Sequence, residues 1–144
     1  MKRLALFLIT ACLGAGVMAA DAIKGERKEV FGDVTVHYNT FNSTYLTPDI
    51  AKAAELIRSK NQGVINVSVI KSGKPLVADV SGTVKDLTSQ SVPLKFKQVV
   101  EQDAIYYIAQ YPVNQQETRT FEIKVQTGDK INTLNFNQEL FPGE

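Results

Sequence analysis

The chain has 144 residues, with 16 basic against 15 acidic side chains, one His, one Cys and no Trp. So even a balance gives no electrostatic footprint for nucleic acid, where phosphate neutralisation dominates affinity, and no basic cluster marks an anionic membrane surface. A lone Cys excludes an internal disulfide, and one His beside it is a poor donor set for zinc or a soft metal.

Lys2 and Arg3 precede an apolar run from Leu4 to Val17, with small residues at Ala19 and Ala20. That is the layout of a secretory signal peptide: a basic start, an apolar core too short to span a bilayer comfortably, and a small-residue cleavage site. The expected cut falls after Ala19 or Ala20, or else after Ala22, making residues 1–20 a removed leader and residues 21–144 a single domain. Ile9-Thr10-Ala11-Cys12 loosely resembles a lipidation motif, but the apolar run continues past Cys12 to Val17, which favours cleavage without lipidation. Removal takes away Lys2, Arg3, Cys12 and both Met residues, leaving 14 basic against 15 acidic side chains. Disulfides are then impossible in a compartment that permits them. Stability must come from an apolar core, for which about 124 residues suffice.

Val30, Val34, Val36 and Tyr38 alternate with Asp33, Thr35, His37 and Asn39, the period of a half-buried strand. His37 falls on the polar side, and Gly32-Asp33 is either a bulge or the true strand start. Phe41 to Tyr45 breaks the alternation. Thr47 then suits an N-cap, Pro48 the first helical position and Asp49 the helix dipole. Ile50, Ala53, Ala54 and Ile57 recur at helical spacing, predicting a helix over 48–60 that Asn61 to Gly63 would end.

Strand signals return in Ile65, Val67 and Val69. A turn at Lys71 to Pro75 leads to Ala78, Val80 and Val84, and further strands are marked by Leu94 and Phe96, then by Ile105 to Tyr111. Phe121, Ile123 and Val125 alternate cleanly, Thr127 to Lys130 is a turn, and Leu134, Phe136 and Leu140 mark the last strand. About seven closely spaced strands with one helix predict a mainly-β antiparallel sandwich, since parallel strands would need a crossover helix each time. Tyr106, Tyr107, Ile108 and Tyr111 make both faces of one strand apolar, as in a central strand covered on both sides or one with an exposed docking patch.

Phe31-Gly32-Asp33, Val36-His37-Tyr38, Phe41-Asn42-Ser43, Leu46, Pro48, Ala51, Lys60, Gly63, Asn66 to Val69, Val80-Ser81-Gly82 and Ala104 to Tyr107 together resemble a bacterial family catalogued as domain of unknown function 4426. The likeness covers nearly the whole processed chain and rests on order and spacing. It implies a secreted, periplasmic protein with an immunoglobulin-like sandwich fold, and it supplies no catalytic residues.

The richest candidate segment is His37, Tyr38, Asn39, Phe41, Asn42 and Tyr45, which joins the only imidazole to aromatics and amides just before the helix. One reading is a patch for a small molecule or ion, including an anion at the helix start. The other is local architecture, with Asn42, Ser43 and Thr44 making turns and Phe41 and Tyr45 plugging the gap between helix and sheet. Nucleophilic catalysis lacks its parts: there is no Gly-x-Ser-x-Gly elbow. Asp79 with Asp86, and Glu101 with Asp103, read as strand-face and turn residues rather than a carboxylate pair. The expectation is a non-enzymatic periplasmic module with no cofactor and no metal. It would bind an unidentified envelope protein or peptide through an edge strand or loop-end patch, without nucleic acid and without membrane insertion after processing.

Overall fold

The computed structural model describes residues 27–143, so the leader expected over residues 1–20 lies outside the described residues. Strands β1 (Arg27–Phe31) and β2 (Val34–Asn42) form a hairpin, followed by a 3-10 turn (Ser43–Tyr45) and helix α1 (Pro48–Ala53). Eight strands follow: β3 (Gln62–Lys71), β4 (Lys74–Pro75), β5 (Asp79–Lys85), β6 (Ser91–Leu94), β7 (Lys97–Glu101), β8 (Ala104–Pro112), β9 (Glu117–Thr127) and β10 (Lys130–Leu140). One sheet runs β1-β2-β3-β8-β7 with β4 appended to β3, and the other runs β10-β9-β5-β6. All pairings are antiparallel. This is the expected mainly-β sandwich, built from ten strands rather than about seven.

The alternation read from sequence fills the space between the sheets. Val34, Val36 and Tyr38 from β2 meet Ile65, Val67 and Val69 from β3, and Tyr107, Ala109 and Tyr111 from β8. The second sheet contributes Val84, Phe121, Ile123, Val125, Leu134, Phe136 and Leu140. Burying each such side chain contributes about 1.5–3 kcal/mol, and aromatic pairs add to that. Rings run in contact through the core: Tyr111 to Phe121 at 5.3 Å edge-on, Phe121 to Phe136 stacked at 5.0 Å, and Phe136 to Tyr38 at 4.7 Å. Gly63 makes room for this series. It lies opposite Tyr111 in register, and a Cβ there would stand 2.4 Å from the tyrosine ring.

A second apolar cluster covers the outer face of the first sheet. Leu46, Ala51 and Ala54 pack with Val64, Val99 and Ile108, and Phe41 and Tyr106 join them. Strand β8 is therefore covered on both sides, Tyr107 facing the main core and Tyr106 and Ile108 the outer cluster.

Two sequence expectations change. Gly32-Asp33 is the two-residue turn between β1 and β2, with Gly32 at φ +66°. The helix is one and a half turns, not the expected span over 48–60. Thr47 caps it as foreseen, its hydroxyl oxygen accepting from the Ile50 N–H at 3.2 Å. After Ala54, however, Glu55 turns left-handed at φ +58°. The Gln110 side chain then takes over the backbone of Ile57, donating to its carbonyl and accepting from its N–H. That diversion makes Ala51 and Ala54 the buried positions and leaves Ala53 and Ile57 exposed. Among the described residues, no helix is long and apolar enough to cross a membrane.

Candidate functional site

Strand periodicity divides the six sequence candidates. In β2 the side chains of Tyr38 and Asn42 share the face of Val36, towards the second sheet, while His37, Asn39 and Phe41 share the opposite face. Tyr38 is buried against Phe136. His37 is half-buried between Lys28 of β1 and Ser68 of β3. Asn39 lies opposite Asn66, whose side-chain oxygen is buried without a hydrogen-bond partner. Phe41 packs beneath the helix as expected, but Tyr45 does not: it is 79% exposed.

Phe41, Asn42 and Tyr45 meet again at one end of the sandwich, around a cavity of about 530 Å³. Its other walls are the end of β8 at Tyr111, the end of β10 at Gln138 and Glu139, and the tail Phe141-Pro142-Gly143. The size falls within the range of small-molecule sites, about 300–1,000 Å³.

The wall formed by the 3-10 turn is rigidly held. Asn42 accepts from the Thr44 N–H at 3.0 Å and the Thr44 hydroxyl at 2.8 Å, and donates to the Lys60 carbonyl at 3.0 Å. The buried Ser43 hydroxyl donates to the Ser59 carbonyl at 2.7 Å and accepts from its N–H at 2.8 Å. The tail is tied to the same place, since the Gly143 N–H donates to the Lys60 carbonyl at 2.7 Å. A Cβ on Gly143 would lie 2.7 Å from the Asn42 amide, so a larger residue there would push that amide aside. Asn42, Ser43 and Thr44 thus form the turn foreseen as one of the two readings, and that turn is also a wall of the cavity.

On β9, opposite Gln138, Arg119 is buried and paired to Glu117, its Nε and Nη2 donating to one carboxylate oxygen at 3.0 and 2.5 Å. Arg27 spans the two sheets, donating to Gln138 while its guanidinium lies 4.7 Å from the Phe136 ring centroid. Burial pushes the Tyr111 hydroxyl well above its ordinary value of 10.0, against smaller opposing effects of Thr40 and Arg119, so the phenol is neutral.

The edges of the two sheets are unequal. β1 has five residues, of which Arg27, Lys28 and Glu29 are charged. β7 also has five and begins and ends on charges, Lys97 and Glu101. β6 has four and contains Pro93. Short length, charge and proline are the usual means of blunting an edge. β10 is eleven residues long and has neither charge nor proline between Ile131 and Gln138. Its outward residues Ile131, Thr133, Asn135 and Asn137 are exposed, and its last residues line the cavity.

The carboxylates set aside in the sequence fall on strands and turns: Asp79 opens β5. Asp86 closes the β5–β6 loop by accepting from the Thr88 hydroxyl at 2.6 Å and from the Thr88 and Gln90 N–H groups; the Thr88 bond leads in holding its carboxyl below the ordinary value. Glu101 ends β7 and Asp103 lies in the two-residue β7–β8 turn. Sequence reasoning missed Gln138, Glu139 and Phe141. The available signal was an aromatic directly after a core-facing Leu140 and before Pro142-Gly143, where no further strand could bury it.

The DUF4426 family model, described as a domain of unknown function, matches residues 28–143. A crystal structure of a DUF4426 family protein from Pseudomonas aeruginosa PAO1 is similar at 51% identity and a TM-score of 0.81, covering 84% of this chain and 98% of that one. FetP from uropathogenic Escherichia coli strain F11 is similar at 9% identity and a TM-score of 0.64, over 83% of this chain and 96% of FetP. A copper-bound FetP variant gives 9% and 0.62, over 82% and 96%. At that identity the likeness to FetP is one of fold. No curated protein matches the chain.

Proposed function

The chain belongs to the DUF4426 family, and we propose that it is a non-enzymatic, periplasmic interaction module that binds an extended peptide segment along the edge of β10. One observation carries this reading: among the described residues, β10 is the single long edge strand, and its stretch from Ile131 to Gln138 has no charge, proline or bulge. An open edge offers a row of N–H and C=O groups to an added strand, which supplies affinity through the main chain and specificity through neighbouring pockets. The cavity at the end of β10 is such a pocket. The basic start and apolar run, Lys2 and Arg3 followed by Leu4 to Val17, support an exported setting.

The copper of the FetP variant belongs to that protein, whose likeness to this chain is one of fold. Among the described residues, no three His, Cys, Asp or Glu side chains converge, and His37 is the one imidazole.

Selection of extended peptides from a random library, followed by hydrogen exchange of the selected complex, tests the reading. Enriched peptides should slow exchange at β10 amides, and Thr133→Lys with Asn135→Lys should abolish their binding without unfolding the domain. Failure to enrich any peptide, or protection confined to other strands, contradicts it. So does a concentration-dependent dimer that the same two Lys substitutions dissolve, because the edge would then belong to a second copy.

A further inference from the structure

We propose that the cavity at the end of β10 receives a cationic side chain, Lys or Arg, of the bound peptide, an inference that rests on the β10 reading for its partner. Among the described residues only two aromatic side chains are more than half exposed, Tyr45 at 79% and Phe141 at 57%, and both stand on the wall of this one cavity. The other aromatic rings are buried or half-buried. Paired open ring faces attract a cation through the ring quadrupole, and more strongly as water is displaced.

The charge of the lining has the complementary sign. Glu139 is the one ionisable acid among the lining residues, and no Lys, Arg or His lines the cavity. One Glu139 oxygen accepts from Gln116 at 2.7 Å, and the other has no hydrogen-bond donor among the described residues. Three of the neutral polar side chains are already engaged, Asn42 and Thr44 with each other and Gln138 with Arg27 and the Glu139 carbonyl. The nearby guanidinium groups stand outside the lining: Arg119 is paired with Glu117, while Arg58 donates to the Thr44 carbonyl and Arg27 to Gln138. Within the lining an anionic ligand would meet a carboxylate and no cationic side chain, whereas a guanidinium or ammonium would meet a carboxylate and two exposed aromatic rings. Because Gln138, Glu139 and Leu140 belong to both the edge and the cavity, a peptide pairing with β10 passes directly over the opening.

The test uses a probe too short to form a strand. Nα-acetyl-arginine N-methylamide, titrated into the isotope-labelled domain, should give saturable chemical-shift changes confined to residues 41–45 and 138–143. The neutral norleucine analogue should bind about fivefold more weakly, and Glu139→Gln and Tyr45→Ala should each cost about the same factor. Thr133→Lys with Asn135→Lys should leave arginine-probe binding intact while removing peptide binding, so failure of the edge reading and failure of the cavity reading give different results. Equal affinity for the two probes, unchanged affinity in Glu139→Gln, or no saturation in the millimolar range overturns the proposal.

Discussion

Four aromatic rings, Tyr38, Phe136, Phe121 and Tyr111, run in contact through the core, while Tyr45 and Phe141 stand in solvent a few residues along the chain from them. Strand phase makes the difference. Phe136 and Leu140 point inward from β10, so Phe141, directly after Leu140, points out. Tyr38 points inward from β2, and the 3-10 turn then carries Tyr45 outside the helix-covered cluster. One set of rings holds the sheets together. The other is exposed and leaves two apolar rings open at one site, the feature on which the proposed contact with a bound side chain rests.

Substitutions should separate the two sets, beginning with the largest effect. Phe121→Ala, at a fully buried ring touching two others, should lower unfolding free energy by about 3–5 kcal/mol in urea denaturation. A loss under about 1 kcal/mol would mean that the contact series is not what couples the sheets. Gly63→Ala pushes a methyl into the Tyr111 ring and should cost about 1–3 kcal/mol by the same measurement.

Tyr111→Phe probes the same ring through pH. Its phenol is raised in the folded state, so its contribution is fully present below the unfolded value near 10.0 and is lost as pH rises toward the folded value, because unfolding then releases a proton. Stability measured from neutral to strongly alkaline pH should fall less steeply in the Phe variant. Parallel curves would show that this phenol titrates alike in both states.

At the small end, Tyr45→Ala and Phe141→Ala should each change stability by no more than about 0.5 kcal/mol. A large loss from either would return that ring to the structural set and remove it from the binding site.

Much of the sandwich was legible because a strand's period of two writes its buried face directly into the sequence: Phe121, Ile123 and Val125 were read with the correct orientation. The doubly apolar β8 also announced its place between two apolar layers. The helix was legible at its start, where Thr47, Pro48 and Asp49 act locally, and illegible at its end. There Gln110, more than fifty residues along the chain, supplies the hydrogen bonds that replace the helical ones. The candidate segment was half legible. Phe41, Asn42 and Tyr45 do line a cavity, but its remaining walls come from β8, β10 and the tail, and no local pattern announces residues that only topology brings together. His37, singled out as the sole imidazole, lies on the outer face of the first sheet beside Lys28 and Ser68, and is not among the lining residues.

The central claim is that β10 is an edge kept open for a peptide strand. Residue-resolved hydrogen exchange of the domain, alone and saturated with a library-selected peptide, addresses it most directly. Slower exchange at alternate β10 amides between Ile131 and Glu139, with β1, β6 and β7 unchanged, is the predicted result. Protection that leaves β10 untouched would contradict it.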